Sequence, residues 1–561
     1  MARLTPLAVL LALLIVAAPA AARPNVVVLM TDDQTQASLP YMRQVNSLLG
    51  AQGTTFSQSI SSFPLCCPSR STHLTGQYAH NHGVLHNAGP FGGYAVFEHT
   101  NALPVWLQQA GYRTMHVGRY LNGYTASSGV PPGWSDWDGM PHANAFDYAS
   151  WKVNENGVIR SYPSLDRPGD YQTDFLARRA SQLIEEAAPG DRPFYLQLWF
   201  TAPHSGGPRD PDDPTGIRTP SPSPRYRDAF AGVPMPRPPN FDEANMYDKP
   251  QVVADRPRFT PDREAAIQEN WSQELESLMS VDDAVAQVLD TLARTGELDN
   301  TLIVYTADNG FMHGEHRALA EKVLPYEPSV RVPLILRGPG VPRGRFDERL
   351  VANVDVPATI LDATDVAPGR VQDGRSLIPL LADPGAEWGR DILIENGNGA
   401  NGVPAYRGIR NYRFLYVEHN TTGEYELYDL HEDPYELKSR DGSDRYAKVQ
   451  RELRGGLRTL KRCAGSICLT HPRIKLHVRP RPTRCVPGDL RIFVTGPEKT
   501  DVVSAEVLVG RRRVGRVSAP PLTRLIPRDR LRQGRPFRLR VRAETLDGRR
   551  MTLDRRVRAC G

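Results

Sequence analysis

Three short apolar runs stand out along the chain, each closing on polar residues that a buried strand does not need. Asn25-Val26-Val27-Val28-Leu29-Met30 ends in Thr31-Asp32-Asp33. Phe194-Tyr195-Leu196-Gln197-Leu198-Trp199-Phe200 ends in Thr201-Ala202-Pro203-His204, and Leu302-Ile303-Val304-Tyr305-Thr306-Ala307 ends in Asp308-Asn309-Gly310. Mostly continuous apolar runs of this length mark strands covered on both faces, as in parallel sheets. Between them the spacing predicts helices, among them 263–294, where Leu275, Leu278, Val281, Ala284, Val288 and Leu292 recur every three or four residues. Strands alternating with helices predict an open α/β sheet, whose ligands bind beyond the carboxyl ends of the strands. One acidic residue after a strand is ordinarily a helix cap or a turn. Three strand ends delivering carboxylate, amide and imidazole groups to one edge point instead to a metal-centred site.

Asp32, Asp33, Asp308 and Asn309 are oxygen donors. A set without several cysteines or histidines suits calcium or magnesium better than zinc.

The pattern changes towards the end of the chain. Residues 412–416 and 425–430 alternate like antiparallel strands, ahead of a predicted helix over 445–460. Phe537-Arg538-Leu539-Arg540-Val541-Arg542 alternates apolar and basic residues between Pro and Gly turns, which reads as a small β-sandwich. The expected division is 24–383, 384–470 and 471–561, after a leader over 1–22. That leader has Arg3, an apolar run from Leu4 to Val16 and a small-residue cleavage site at Ala20-Ala21-Ala22. The run is short of the roughly 20 residues a membrane-spanning helix needs. Export to the extracellular space without a membrane span is therefore expected, and the length suits two to three domains.

Cysteine and charge refine this picture. Cys463, Cys468, Cys485 and Cys560 lie in the last hundred residues, and an exported chain favours bridging them. Cys463 to Cys468 and Cys485 to Cys560 is the sensible arrangement among the three that four cysteines allow. Cys66 and Cys67 are adjacent, an awkward placement for structural staples. From Arg473 to Gly561 there are 24 Lys and Arg against 8 Asp and Glu, a net +16 that leaves −11 for the rest of a chain totalling +5. This module either holds an anionic polysaccharide or presents solvated arginines. No nucleic-acid partner is expected.

The segment Leu65-Cys66-Cys67-Pro68-Ser69-Arg70-Ser71-Thr72-His73-Leu74-Thr75-Gly76 resembles the Cys-x-Pro-Ser-Arg, then Leu-Thr-Gly, signature of the formylglycine-dependent (type I) sulfatases. The resemblance runs from about Pro24 to about Arg462 and looks closest to the N-acetylglucosamine-6-sulfatase and heparan 6-O-endosulfatase branch. His80-Asn81-His82, Tyr120-Leu121-Asn122, Ala202-Pro203-His204 and Ser280-Val281-Asp282-Asp283 carry it alongside the signature. It implies an alkaline-phosphatase-like mixed sheet flanked by helices, a smaller α+β subdomain, and removal of sulfate from a 6-sulfated glucosamine unit of a glycosaminoglycan-like substrate. It also implies oxidation of Cys66 to formylglycine by a maturation enzyme, and a calcium site of Asp32, Asp33, Cys66, Asp308 and Asn309. Arg70 would hold the formylglycine diol, Lys322 would contact sulfate and the ester oxygen, and His204 would lie near the leaving group.

Arg119 stands where the family usually has lysine, and Leu121 where many arylsulfatases have a second histidine. Arginine keeps the charge and can clamp two sulfate oxygens, but it does not lend a proton. Pro68 suits the first turn of a helix, which would put residue 66 at a helix N-terminus, where anions are favoured. His80, His82, His313 and His316 are candidates to line the pocket, against the commoner fate of histidines on the surface or in the core. Two other functions fit the same residues. The scaffold could hydrolyse phosphate or phosphonate esters, or bind glycans without catalysis if Cys66 stays unmodified.

Overall fold

The computed structural model describes residues 23–163, 170–386, 388–469, 475–479, 485, 488–495, 502–517, 523–531, 535–545, 550–558 and 560. The leader expected over 1–22 lies outside them. Six elements frame the site at the heart of the molecule: β1 (Asn25–Thr31), α1 (Cys66–Thr75), β2 (Arg113–Arg119), β3 (Phe194–Trp199), α2 (Pro261–Arg294) and β4 (Thr301–Ala307).

A ten-stranded mixed sheet forms the body. Its order is 345–347, 54–56, 334–337, β4, β1, β3, β2, 136–140, 150–155 and 158–163. The four central strands and 136–140 run parallel; 334–337 joins β4 and 150–155 joins 136–140 in antiparallel fashion, while the edge strand 345–347 pairs parallel with 54–56. β1 is buried at every position because both of its faces are covered. Val27 and Leu29, with Leu196, Leu198, Ile303 and Tyr305, pack on one side against α2 and the helix Gln172–Ala187. Val26, Val28 and Met30, with Tyr195, Trp199 and Val304, meet Leu74 of α1 and Ile360 and Leu361 on the other. This is the two-faced burial that the continuous apolar runs predict. α2 begins two residues before the predicted start, capped by Thr260, whose hydroxyl accepts the Arg263 N–H at 3.3 Å.

Four antiparallel strands, Ile392–Asn396, Tyr406–Arg410, Phe414–His419 and Tyr425–Asp429, come after the large sheet. The helix Ala447–Leu460 packs Val449, Leu453 and Leu457 into the same apolar cluster as these strands. One turn of 3₁₀ helix, Asp444–Tyr446, precedes it, so the regular helix starts two residues later than its pattern suggests. The last residues form a three-stranded and a four-stranded antiparallel sheet enclosing a separate core that includes Val478, Ile492, Val507, Leu539 and Val541. Disulfides join Cys463 to Cys468 and Cys485 to Cys560. Among the described residues, no helix is long and apolar enough to cross a membrane.

Candidate active site

The carboxyl ends of the central strands are tied together by their own backbone. Asp308 N–H donates to Thr31 O at 3.2 Å, Asp32 N–H to Ala202 O at 3.2 Å, and Phe200 N–H to Met30 O at 2.8 Å. These bonds draw Asp32 and Asp33, Asp308 and Asn309, and the 200–204 turn to one edge. Asp33 adopts a left-handed backbone (φ 69°), which aspartate tolerates better than most residues. Gly310 is required sterically, since a Cβ there would stand 2.1 Å from Pro328 O.

α1 points its N-terminus into this edge. Leu65 is extended and Cys66 is the first helical residue, with Pro68 third. The neighbouring cysteines then part. Cys66 Sγ lies 3.7 Å from Asp32 Oδ1 and accepts from Lys322 Nζ at 2.9 Å, whereas Cys67 packs into the apolar layer with Leu74, Val84 and Leu121. Both thiols are free. Burial, offset in part by Lys322, pushes the Cys66 thiol up to about 12. A neutral thiol is a weak nucleophile and a weak ligand for a hard cation. Leu121 belongs to the same apolar layer as Cys67.

One turn after Cys66, Arg70 is fully buried and crosses the site. Its Nε donates to Asp308 Oδ2 at 2.8 Å, its Nη2 to Asp32 Oδ2 at 2.9 Å, and its Nη1 to the Arg119 carbonyl at 2.8 Å. The guanidinium lies 5.2 Å from the centre of the Trp199 ring. Arg119, at the end of β2, forms a close ion pair with Asp32 and reaches Asp308 at 3.8 Å. It also donates to Asn122 Oδ1 at 3.2 Å and lies over the Phe146 ring at 4.8 Å. Burial pulls its pKa down to about 10, which leaves it charged at neutral pH.

Lys322 Nζ pairs with Asp33 as well as with Cys66. Burial works against its charge, but Asp33, Cys66 and Asp308 outweigh burial and hold the ammonium above its ordinary range. His204 sits 3.6 Å from Asp33 through Nε2, and its Nδ1 donates to Ser205 O at 2.8 Å. Burial, then Lys322 and Arg119, drive the His204 pKa well below the ordinary value, so the ring is neutral with its Nε2 lone pair facing the centre. Lys322 is thus the cation in contact with residue 66, and His204 beside it is neutral.

Ligand atoms of Asp32, Asp33, Cys66 and His204 lie within 4.8 Å of one another. Asp308 and Asn309 border this group. The buried Asn309 Nδ2 donates to Asp33 Oδ1 at 2.7 Å, and its Oδ1 has no hydrogen-bond partner among the described residues. An orphaned amide oxygen among three buried carboxylates fits a hard cation. The four other histidines singled out in the sequence stand outside the group. His80 contacts Glu395 and the Cys463 carbonyl, His82 meets Thr72, His313 pairs with Glu274, and His316 lies between Glu243 and Glu436. Sequence pattern does not point to Phe146 and Trp199 as partners of the two arginines. No local signal marks Phe146, which reaches the site from a turn 27 residues beyond Arg119.

Comparison with known proteins adds independent findings. The family model described as sulfatase matches residues 24–366, and a second, N-sulphoglucosamine sulphohydrolase, C-terminal, matches 314–463. An arylsulfatase of Volvox carteri is 33% identical over 511 residues, covering 82% of this chain and 78% of the relative. The N-acetylglucosamine-6-sulfatase of Homo sapiens is 34% identical over 397 residues, covering 68% of each. A solved structure, in complex with its substrate D-glucosamine-2-N,6-O-disulfate, superposes with a TM-score of 0.65 at 25% identity. It matches 78% of this chain and 97% of that one.

Proposed function

This chain belongs to the sulfatase family, and we propose that it removes 6-O-sulfate from glucosamine units of a glycosaminoglycan-like substrate. The observation that carries the reading is Cys66. It is buried and unbridged at the start of α1, with Arg70, Arg119, Lys322 and His204 around it and three carboxylates beside it. The glucosamine preference rests on the human relative and on the substrate-bound structure. A sulfate-release assay on defined oligosaccharides tests it.

The residues fit calcium and a formylglycine at position 66: the hydrated aldehyde would supply the hydroxyl that attacks sulfur, and Asp32, Asp33, Asp308 and Asn309 would hold calcium as a neutraliser of sulfate charge. The chain's own residues supply the rest. Arg70 fixes Asp32 and Asp308 through one hydrogen bond each and is itself held by the Arg119 carbonyl, so the oxygen donors keep their places whatever charge develops between them. Arg119 offers a fixed positive charge to the sulfate oxygens and cannot exchange a proton. Lys322, protonated and in contact with residue 66, is placed to give its proton to the departing sugar oxygen. His204, neutral and partly open to solvent, is suited to accept a hydrogen bond or a proton on the same side. Asp33 orients both of these groups.

The two disulfides and the expected leader support export. Charge supports a second role for the last module. On the four-stranded sheet Arg538, Arg540, Arg542 and Arg513 share Asp554 and Glu506 as their ion-pair partners among the described residues. Four guanidinium groups on two carboxylates leave donors for an anionic polysaccharide.

A further inference from the structure

A cleft of about 380 Å³ opens from the centre, with Phe146 and His204 at its inner end and Arg209 and Arg218 on its walls. It is the space into which a sugar would extend from an ester held beside His204. No acidic side chain lines it among the described residues. That is unexpected where the chain before the terminal module carries net −11. The two arginines differ. Arg209 is engaged, donating to the Pro214 carbonyl at 2.6 Å and pairing with Asp213 at 3.6 Å. The exposed Arg218 guanidinium has no ion pair or hydrogen bond among the described residues.

The Arg218 backbone, by contrast, is fixed. Its carbonyl accepts from Asn270 Nδ2 on α2 at 2.8 Å, and its neighbours Ile217 and Thr219 are buried. Gly206 N–H, two residues after His204, donates to Thr219 O at 3.0 Å. Gly206 itself admits no side chain, since a Cβ would stand 2.3 Å from Phe146 O. The segment carrying Arg218 is therefore stitched to the segment carrying His204. An unpaired cation on an anchored backbone, facing a cleft without acids, is arranged for an anion supplied by the ligand.

We infer that Arg218 binds a second anionic group on the sugar whose ester is cleaved, so that the site selects sugars bearing two anionic groups over singly sulfated ones. The inference rests on the proposed sulfatase reaction for the direction in which the sugar lies. An N-sulfate on the same ring has the required chemistry.

Binding to the Cys66→Ala protein in calcium separates recognition from turnover. Titration calorimetry with D-glucosamine-2-N,6-O-disulfate and with D-glucosamine 6-O-sulfate should show the disulfate bound about tenfold more tightly. Adding Arg218→Ala should abolish that preference without weakening the monosulfate, and Arg218→Lys should restore part of it. Unchanged preference in Arg218→Ala, or equal affinities in the parent protein, would overturn the inference. Failure of unmutated, formylglycine-bearing protein to release sulfate would count against the proposed function alone. An Arg218-dependent preference would stand regardless.

Discussion

Replacing Arg70 by lysine probes the electrostatic frame of the site. The wild-type side chain, with no solvent exposure, makes three hydrogen bonds of 2.8–2.9 Å to Asp308, Asp32 and the Arg119 carbonyl. A compact ammonium lacks the planar fork and can keep one of them at good geometry. The other two, each to or from a charged group, are worth about 1.5–3 kcal/mol apiece, for a loss of about 3–6 kcal/mol. Breaking a buried ion pair by changing one partner costs about 3–5 kcal/mol, which is consistent. Denaturant unfolding of both proteins should be measured in chelator and in calcium. The deficit should be larger in chelator, because calcium would restore positive charge between the carboxylates that Arg70 no longer balances. Zinc should not substitute for calcium in an oxygen-only site. Turnover should fall about a hundredfold or more in calcium, as when one preorganised donor is lost. A variant within about 1 kcal/mol of wild type in both solutions, with wild-type turnover, would show that Arg70 does not hold the carboxylates in place.

Cys66→Ala and Cys66→Ser should abolish sulfate release with the fold intact, while Cys67→Ala, a change in the apolar layer, should keep substantial activity; the reverse pattern would exchange the roles of the two cysteines. His82 is buried, accepts the Val84 N–H through Nδ1 and places its proton on Nε2 beside Thr72, and burial with the charges of Arg370 and His80 lowers its pKa from 6.5 to about 3. Its stabilisation is therefore complete above about pH 6.5 and falls as the pH drops towards 3, since the unfolded chain takes up the proton first. The stability advantage of wild type over His82→Gln should shrink by about 2 kcal/mol between pH 8 and pH 5 in denaturant titrations, and a constant advantage would contradict the assignment. A chain ending at Leu469 should cleave a small sulfated substrate normally yet elute from immobilised heparin at lower salt, because the net +16 of the last module is gone. Equal elution would reduce the arginines to solvated strand faces.

Those features that depend on local pattern are legible in the sequence. β1, β3 and β4 read as buried strands because both faces are apolar, and parallel pairing then sets Asp32, Asp308 and the 200–204 turn at one edge. Cys66 and Arg70 are legible because they share one turn of a helix. Partners brought in by long loops are not. Phe146 meets Arg119 and His204 only because the 146–148 segment pairs with Gly207, and nothing around Phe146 announces that contact. Arg218 lies in the Pro-rich stretch 208–239, which reads as a surface loop close enough after His204 to shape the cleft, but its anchoring depends on Asn270, 52 residues away on α2. The histidines mislead in the opposite direction. His80 and His316 look like pocket residues by type, yet each is satisfied elsewhere by a glutamate.

Sulfate release measured on the full chain, after intact-mass analysis shows formylglycine at residue 66, decides whether this chain is a glucosamine 6-O-sulfatase. With calcium present, 6-O-sulfated glucosamine oligosaccharides should yield free sulfate, the Cys66→Ala protein should yield none, and phosphate monoesters should be turned over far more slowly. Modified protein that hydrolyses phosphate or phosphonate esters readily and frees no sulfate from any 6-sulfated glucosamine would contradict it.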